Sequence, residues 1–458
     1  MKKTILAAVA LGALASLAGS AYEANWESLD KRPVPQWWKD AKFGVFVHWG
    51  VYSVPAYAPY DSNSVYTCYA EWYQGRMIGR QGPAGQKEFL EHHAKYFGGA
   101  PYANFVPQFN ARYFNAADWA TLFRKAGAKY AMLTSKHHDG YALWPSAESP
   151  YYNAAVSGPG RDIVGEFGDA MRAAGLHFGC YYSLIEYANP AYTNANVDVR
   201  NWSRTMNIPQ MKELVEKYGV EIVWADGEWE HTDGDWCSVD FLKWLFNDSR
   251  MKDTVVVNDR WGAGCRGKHG GHYTTEYGNA DDGVKADEYL HPWEECQGMG
   301  RSFGYNRFER THHYKTPCEC VRTLVDVVSR GGNLLLDIGP SADGLIPVVM
   351  EERLLAMGEW LAVNGDAIYA TTLWADADRA LTKRGVYFTK KGSDLYAICF
   401  TWPEKPLRIA RTGAVKDVTL LGSGAKVGWK AVDGGIEIAM PRPADLPCEH
   451  AWTFKIFR

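Results

Sequence analysis

The sequence carries no excess of charge of either sign. Its 49 lysine and arginine residues against 53 aspartate and glutamate residues leave a formal net charge of −4. This balance gives no support to a nucleic-acid partner or to binding at an anionic membrane surface. After the first 21 residues, no apolar run is long enough to span a bilayer. The composition is that of an ordinary globular protein, with a hydrophobic fraction of 47% and a charged fraction of 22%.

The chain also lacks a cysteine framework. Its nine cysteines are an odd number, so at least one must be free or pair between chains. Cys180 and Cys399 lie inside apolar, strand-like runs, which is typical of small core residues. Cys318 and Cys320 are too closely spaced for a structural zinc pair. We therefore expect no cysteine-bound metal, and the sequence does not decide which disulfides form.

The first residues have the pattern of a bacterial-type secretory signal peptide. Lys2 and Lys3 precede an apolar stretch over residues 5–17, and small residues follow at 19–21. The stretch is too short for a membrane span. We expect residues 1–21 to be removed and the mature protein to be periplasmic or secreted.

The remaining chain is long enough for two domains. Strand-like and helix-like segments alternate over residues 22–365, which favours a parallel sheet, and about eight strands favour closure into a (β/α)8 barrel. The barrel should be irregular, because residues 258–315 contain no convincing helix. The predicted strands cover residues 43–47, 129–134, 176–182, 220–225, 254–257, 272–275 and 333–337, with a weaker one near 294–298.

The pattern changes after residue 366. Short strand-like runs interrupted by glycine, lysine and proline predict an all-β module over residues 366–458, most simply a small sandwich.

The predicted helices of the barrel cover residues 116–126, 163–174, 208–218, 239–246, 318–329 and 348–363. Segments 56–110 and 262–300 have no helical period, so we expect loops that shape the leaving-group side of the site or, at 79–99, a homo-oligomer contact.

Polar residues follow five of the predicted strands directly. His48 follows the first, His137 and His138 the second, and Asp226 ends the fourth. Arg260 and Glu276 follow the next two. In a parallel barrel the carboxyl ends of all strands meet at one face, where the active site lies. We therefore expect these side chains to line one pocket.

Asp226 and Glu276 suggest the chemistry. Two carboxylates facing one sugar ring are the minimum equipment for glycoside hydrolysis. The chain also has 19 tryptophans and 27 tyrosines, whose flat faces can stack on the C–H faces of sugars, although most of them should fill the core. The rival interpretation is a metal hydrolase that uses His137 and His138. Adjacent strand residues point to opposite faces, so this pair is a poor metal site, and no His-x-x-x-His pair accompanies it. We expect no cofactor and no metal.

Five segments resemble α-L-fucosidases of glycoside hydrolase family 29. They are FGVFVHWGVYSVP at 43–55, YAEWY at 69–73, KYAMLTSKHHDG at 129–140, RSFGYN at 301–306 and GGNLLLDIGP at 331–340. Together they cover roughly residues 25–365 in order. The second segment has alanine where the family usually has serine.

The resemblance implies a retaining exo-hydrolase of terminal α-linked L-fucose. It implies that Asp226 is the nucleophile and Glu276 the acid/base, with Glu288, Glu294 and Glu295 as fallbacks, because the stretch before Glu276 is longer than expected. The implied substrate is a fucosylated oligosaccharide or glycoconjugate. By the same resemblance, the fucose pocket is lined by His48, Tyr69, Glu71, Trp72, His137, His138, Trp224, Arg260 and Phe303.

Two rival functions share this fold. One is a non-catalytic fucose-binding protein, against which the intact Asp226 and Glu276 argue. The other is a relative that acts on a fucose-like sugar such as α-L-galactose. The side chains that face the C5 methyl group, expected to be Trp224 and Phe303, would decide between fucose and galactose.

Overall fold

The computed structural model describes residues 21–61, 63–277, 291–442 and 446–458. Its larger part is built around one parallel sheet. The eight strands of this sheet are β1 Phe43–Val47, β2 Tyr130–Lys136, β3 His177–Ser183, β4 Ile222–Asp226, β5 Val256–Val257, β6 Tyr273–Glu276, β7 Trp293–Gly298 and β8 Asn333–Ile338. All eight predicted strands are present, and no strand end is displaced by more than two residues.

The strands curl into a barrel. Their order is β5-β4-β3-β2-β1-β8-β7-β6, and every paired neighbour is parallel. The two edge strands, β5 and β6, are joined by two further backbone bonds: His272 N donates to Val257 O (3.1 Å), and Gly271 N donates to Asn258 O (3.0 Å). The predicted fold class, an irregular (β/α)8 barrel, is confirmed.

Helices connect the strands from β1 to β5, and another helix connects β7 to β8. Within the described residues, no α-helix lies between β5 and β7, as expected for 258–315. The helices that link or follow the strands are α5 Ala116–Lys125, α6 Ile163–Ala173, α9 Ile208–Tyr218, α10 Ser238–Asn247, α11 Pro317–Ser329 and α12 Val348–Asn364. Shorter helices are α1 Trp26–Leu29, α2 Gln36–Ala41, α3 Tyr73–Met77, α4 Gln86–Phe97, α7 Pro190–Thr193 and α8 Val199–Trp202.

Local sequence explains where α11 begins. The Thr316 hydroxyl accepts a hydrogen bond from Glu319 N, and the Glu319 carboxylate accepts one from Thr316 N. This reciprocal cap satisfies two backbone donors that a helix start leaves open. Pro317, at the first helical position, loses nothing by lacking an N–H. The buried face of α11 then packs against β8.

The C-terminal part is an all-β sandwich, as predicted. A five-stranded antiparallel sheet has the order β13-β16-β11-β10-β9, and a three-stranded sheet has the order β12-β15-β14. Apolar side chains of the two sheets form one core. The strands are β9 Thr372–Leu373, β10 Val386–Lys391, β11 Asp394–Cys399, β12 Leu407–Ala410, β13 Asp417–Leu420, β14 Trp429–Val432, β15 Gly435–Ile438 and β16 Trp452–Phe457.

Three expectations about local structure were wrong or incomplete. The segment 56–110 is not irregular throughout, because it contains α3 and α4. The period of α4 is hard to recognise, since two of its buried side chains are His92 and His93. Strands β9, β12 and β14 were not predicted, and a one-turn helix, α13 Arg379–Thr382, precedes β10.

All nine cysteines are unpaired in the part of the chain that the structure describes. Cys180 and Cys399 are fully buried, as expected of core residues. No helix among the described residues combines the length and the apolarity needed to cross a membrane. Residues 1–20, which hold most of the predicted signal peptide, lie outside the described residues.

Candidate active site

Strand β4 places Asp226 at the carboxyl end of the barrel. Asp226 is the last residue of the strand, and Gly227 follows it with φ of +80°, a value that favours glycine. Trp224 lies two residues earlier, so both side chains emerge on the same face of the strand. Both line a cleft of about 740 Å³.

Arg260 joins the two predicted catalytic carboxylates. Its Nη1 donates to Asp226 Oδ1 (2.7 Å), and its Nη2 donates to Glu276 Oε1 (2.5 Å). The Nε of the same group donates to Thr274 Oγ1 (3.0 Å), and the guanidinium lies over the Trp224 ring at 4.2 Å. The structure therefore brings Asp226 and Glu276 together on one planar cation, whose geometry restricts both carboxylates.

Asp226 is held in an electropositive environment. Tyr181 Oη donates to Oδ2 (2.8 Å), His138 Nε2 lies 3.6 Å from the same oxygen, and Arg266 Nη2 lies 3.9 Å from Oδ1. Burial alone would raise the pKa of Asp226, but the charges of Arg260 and Arg266, joined by His138 in the acid range where its imidazole is protonated, outweigh burial and lower that pKa below its ordinary value. Asp226 is therefore an ionised carboxylate at neutral pH.

The histidines of the cleft are neutral. Burial lowers the pKa of His48 to about 3 and that of His138 to about 4, and it lowers the pKa of His137 well below its ordinary value. His48 Nδ1 bonds Asp337 Oδ1 (2.6 Å) on β8, and His138 Nδ1 bonds Ser183 Oγ (2.7 Å) on β3. These partners fix the orientation of each ring.

His137 and Tyr69 each carry a buried polar atom that the described part of the chain leaves unpaired. Among the described residues, neither His137 Nδ1 nor the Tyr69 hydroxyl has a hydrogen-bond partner, although both are buried and both residues line the cleft. The His137 ring stacks on Tyr181, with ring centroids 5.3 Å apart. A buried polar atom that lacks a partner costs free energy. A ligand with hydroxyl groups would recover that cost.

Glu71 is a third acidic group of the cleft, and its environment differs from that of Asp226. Its Oε2 accepts a hydrogen bond from Gly304 N (2.8 Å), and Ser302 Oγ lies 3.4 Å away. Burial raises the pKa of Glu71 to about 8 despite these bonds. Glu71 is therefore largely protonated at neutral pH, and a neutral carboxyl can both donate to and accept from a sugar hydroxyl.

Apolar rings form the walls of the cleft. Phe303 packs against His48 (4.9 Å between ring centroids) and against Tyr69 (5.2 Å), and Trp72 packs edge-on against Tyr69 (5.1 Å). Phe303 is buried, whereas Trp72 is half-buried. The predicted residues that line the cleft are His48, Tyr69, Glu71, Trp72, His137, Trp224, Asp226, Arg260, Glu276 and Phe303.

Some predicted residues do not line the cleft. His138 is not among the lining residues, although it contacts Asp226, His137 and Trp229, which are. Glu294 is buried beneath the floor, where Tyr130 Oη donates to it (2.6 Å) and Trp224 Nε1 donates to it (3.1 Å). Glu295 is also buried and outside the lining, and Glu288 lies outside the described residues.

Sequence reasoning missed four polar side chains around Asp226 and His48. Tyr181 and Asp337 bond these two residues directly, and Glu228 and Arg266 form a pair beside Asp226, with 2.6 Å between Arg266 Nε and Glu228 Oε1. Tyr181 lies inside a predicted strand, where strand-end position gave no signal, whereas Asp337 ends the predicted strand 333–337 and could have been found by that criterion. Glu228 follows Asp226 by two residues and could have been found by that proximity.

In the described ranges, no group of three or more His, Cys, Asp or Glu side chains could hold a metal ion. The buried imidazoles are instead engaged by Asp337 and Ser183, or face the cleft.

Comparisons with known proteins agree with this architecture. The sequence profile described as Alpha-L-fucosidase matches residues 10–366, and the profile described as Alpha-L-fucosidase C-terminal domain matches residues 379–457. The chain belongs to the α-L-fucosidase family. It is therefore an enzyme of the glycoside hydrolase class, and the resemblance seen in the five motifs is confirmed.

The family relatives span nearly the whole chain. Human tissue alpha-L-fucosidase is 41% identical over 449 residues, which are 95% of this chain and 91% of the relative. Alpha-L-fucosidase of Branchiostoma floridae is 41% identical over 446 residues, 95% of either chain. The crystal structure of Thermotoga maritima alpha-fucosidase in complex with fucose is 33% identical, with a TM-score of 0.79 over 95% of this chain and all of that chain.

Proposed function

We propose that the chain is a retaining exo-α-L-fucosidase that releases terminal L-fucose from glycans by double displacement. Asp226 is assigned as the nucleophile and Glu276 as the acid/base. The observation that carries this proposal is the Arg260 guanidinium, which binds one oxygen of each carboxylate in a single cleft. Retention requires two carboxyl groups about 5–5.5 Å apart, and a shared planar cation favours such closeness.

The first step requires an ionised nucleophile. Asp226 meets this requirement, since Arg260, His138 and Arg266 lower its pKa against the effect of burial. Tyr181 and Arg260 occupy one oxygen each. Asp226 attacks the anomeric carbon, and the bond from that carbon to the leaving oxygen breaks.

Glu276 serves both steps. In the first it donates a proton to the leaving oxygen, and in the second it accepts a proton from the water that hydrolyses the fucosyl-enzyme. One oxygen of Glu276 binds Arg260, so the proposal assigns the transferred proton to the other oxygen. Strand β6 places Glu276 across the cleft from β4, beyond the intervening Arg260.

The remaining predicted residues are assigned to fucose binding. His48, His137, Tyr69 and Glu71 supply buried polar atoms for the sugar hydroxyls, and His138 supports Asp226. Neutral imidazoles suit neutral hydroxyls, because they can donate or accept. Trp224, Trp72 and Phe303 supply apolar faces, and the proposal places the C5 methyl group against Trp224 and Phe303. An α-L-galactoside would bring a hydroxyl to that apolar surface.

The proposed boundaries and destination follow the sequence. We assign residues 22–365 to the catalytic barrel and 366–458 to the sandwich. We assign residues 1–21 to a signal peptide, which gives a periplasmic or secreted enzyme. Mass spectrometry of the protein secreted by an expressing bacterium tests this assignment, because the mature N-terminus should lie near residue 22.

The stereochemistry of the first product tests the mechanism. Wild-type enzyme acting on an aryl α-L-fucoside should release α-L-fucose first, followed over minutes by mutarotation, as observed by proton NMR. Release of β-L-fucose first would contradict retention. Incubation with a panel of fucosylated oligosaccharides should release L-fucose from the non-reducing end, and the panel would identify the linkage.

Azide separates the two assigned roles. Asp226→Ala should lower kcat on an aryl fucoside by roughly 10⁴-fold or more, and azide should restore turnover with β-L-fucosyl azide as product. Glu276→Ala should spare substrates with good leaving groups, and azide should give α-L-fucosyl azide. Near-normal activity of Asp226→Ala would disprove the nucleophile assignment. Glu294→Gln is a matched control, because Glu294 is buried outside the cleft lining and should give no azide product.

A further inference from the structure

The mouth of the cleft carries an aromatic ring that core packing does not explain. Trp229 lines the cleft and keeps 40% of its surface exposed. Its ring meets His138 edge-on, with centroids 5.5 Å apart and planes at 89°. A large apolar ring exposed beside a polar cleft is an informative observation, since hydrophobic free energy would favour burying it.

The backbone around Trp229 is held on both sides. Trp229 is the middle residue of the 3₁₀ turn Glu228–Glu230. Glu228 Oε1 accepts a bond from Arg266 Nε (2.6 Å), and Glu230 Oε2 accepts one from Tyr192 Oη (2.5 Å). The carboxylate before Trp229 is therefore bound to a residue later in the chain, and the carboxylate after Trp229 is bound to an earlier one. An aromatic ring on an anchored turn loses little further freedom when a ligand binds.

The ring lies close to the reacting groups but outside the fucose pocket proposed above. It follows Asp226 by three residues, and the glycine-rich segment after β5 forms the adjoining rim. The two rims are tied together, because Ala263 N donates to His231 O (2.8 Å). A cleft of about 740 Å³ has room for more than one pyranose ring.

We propose that Trp229 is the platform for the sugar that carries the fucose, a neutral hexopyranose of the galactose or N-acetylhexosamine type. This inference rests on the proposed function and adds a subsite for the leaving group. The C–H face of the hexopyranose stacks on the indole, whereas its hydroxyls face the rim and the solvent. Trp229 is then a specificity-determining residue that selects glycan leaving groups over small ones.

Two substrates with different leaving groups test the platform. α-L-Fucosyl fluoride has a leaving group too small to reach Trp229, and a fucosyl-α-(1,2)-galactose disaccharide does reach it. The measured quantity is the ratio of kcat/KM for the disaccharide to kcat/KM for the fluoride. Trp229→Ala should lower this ratio by roughly tenfold, and Trp229→Phe, which keeps a flat ring, should restore most of it.

An unchanged ratio in Trp229→Ala would overturn the platform. This includes the outcome in which a shift of His138 lowers kcat/KM equally for both substrates. Tyr151→Ala is the matched control: this ring is 89% exposed and lies outside the cleft lining, so its ratio should equal that of wild type. A wild-type enzyme that hydrolyses neither substrate would contradict the proposed function itself. A wild-type enzyme that hydrolyses both, with the same kcat/KM ratio in Trp229→Ala, would contradict only the subsite.

Discussion

The barrel and the sandwich bury different kinds of polar side chain. The barrel part buries charged and ionisable groups, such as the pair Lys136–Glu186 (3.1 Å) and Arg260 with its two carboxylates. The fully buried polar side chains among the described residues from 366 onward are threonines. Both parts are well packed, so packing does not require the charges. Of these groups, Arg260 and its two carboxylates line the cleft.

This difference has an energetic meaning. Burying a charge costs several kcal/mol before partners compensate. A barrel built only for stability would replace such groups with apolar ones, as the sandwich core does. Variants in the barrel network should therefore affect activity and pH dependence, whereas variants in the sandwich should affect stability alone. The following predictions test this contrast.

Arg260→Met should have the largest effect. It leaves Asp226 and Glu276 without their shared cation, so the free energy of unfolding should fall by about 3–5 kcal/mol. kcat/KM should fall by roughly 10²–10³-fold. Because Arg260 lowers the pKa of Asp226, its loss should move the acid limb of the pH–activity profile to higher pH. Chemical denaturation and pH–rate profiles measure these effects.

A surface arginine provides the comparison for Arg260. Arg204 lies 4.0 Å from Asp240, and both side chains are more than half exposed. Arg204→Met should change neither kcat/KM nor the pH profile. A similar loss of activity in both variants, or an acid limb that stays in place in Arg260→Met, would mean that the fork does not control the ionisation of Asp226.

Glu71→Gln should have an effect that depends on pH. Burial raises the pKa of Glu71 from 4.5 to about 8, so the folded protein binds a proton there that the unfolded chain releases above pH 4.5. The stabilisation from this proton is complete below pH 4.5 and is lost as pH rises towards 8. Glutamine cannot ionise. The free energy of unfolding of Glu71→Gln should therefore rise relative to that of wild type between pH 4.5 and 8, by roughly 5 kcal/mol in all, at about 1.36 kcal/mol for each pKa unit.

Thermal unfolding across that pH range measures the difference between Glu71→Gln and wild type. The two curves of melting temperature against pH should separate above pH 4.5 and run parallel again above about pH 8. Parallel curves throughout would mean that Glu71 is ionised in the folded protein, as Asp226 is.

The sequence alone predicted the barrel, the sandwich and the cleft. Strand and helix periods are local properties, so β4 and α9 could be located from residue type. The convergence of Asp226, Arg260 and Glu276 could also be predicted, because the carboxyl ends of parallel strands meet at one face. The short strands β12 and β14 could not, since four residues with mixed burial carry too little periodicity.

Partners of the site residues were less predictable. Asp337 lies in the middle of an apolar motif, and only the pairing of β1 with β8 brings it next to His48. Tyr181 similarly reaches Asp226 because β3 and β4 are neighbours. These contacts depend on sheet register, which a single sequence does not contain. The exposure of Trp229 is likewise a tertiary property.

The sandwich offers the smallest effect on stability, which is a gain rather than the loss expected for Arg260→Met. Thr453 on β16 is fully buried, and its hydroxyl has no hydrogen-bond partner among the described residues. Thr453→Val removes this hydroxyl at nearly constant shape, so the free energy of unfolding should rise by about 1 kcal/mol. Thr389 on β10 is the matched control, because its hydroxyl donates to Ala367 O (2.7 Å). Thr389→Val should lower the free energy of unfolding by about 1 kcal/mol.

Neither threonine variant should change kcat/KM, because neither residue lines the cleft. Denaturant titration of the two variants beside wild type, with activity measured on the same samples, completes the contrast between the two parts of the molecule. A loss of activity in Thr453→Val at full stability would show that the sandwich core influences the cleft. The separation of chemistry in the barrel from stability in the sandwich would then be wrong.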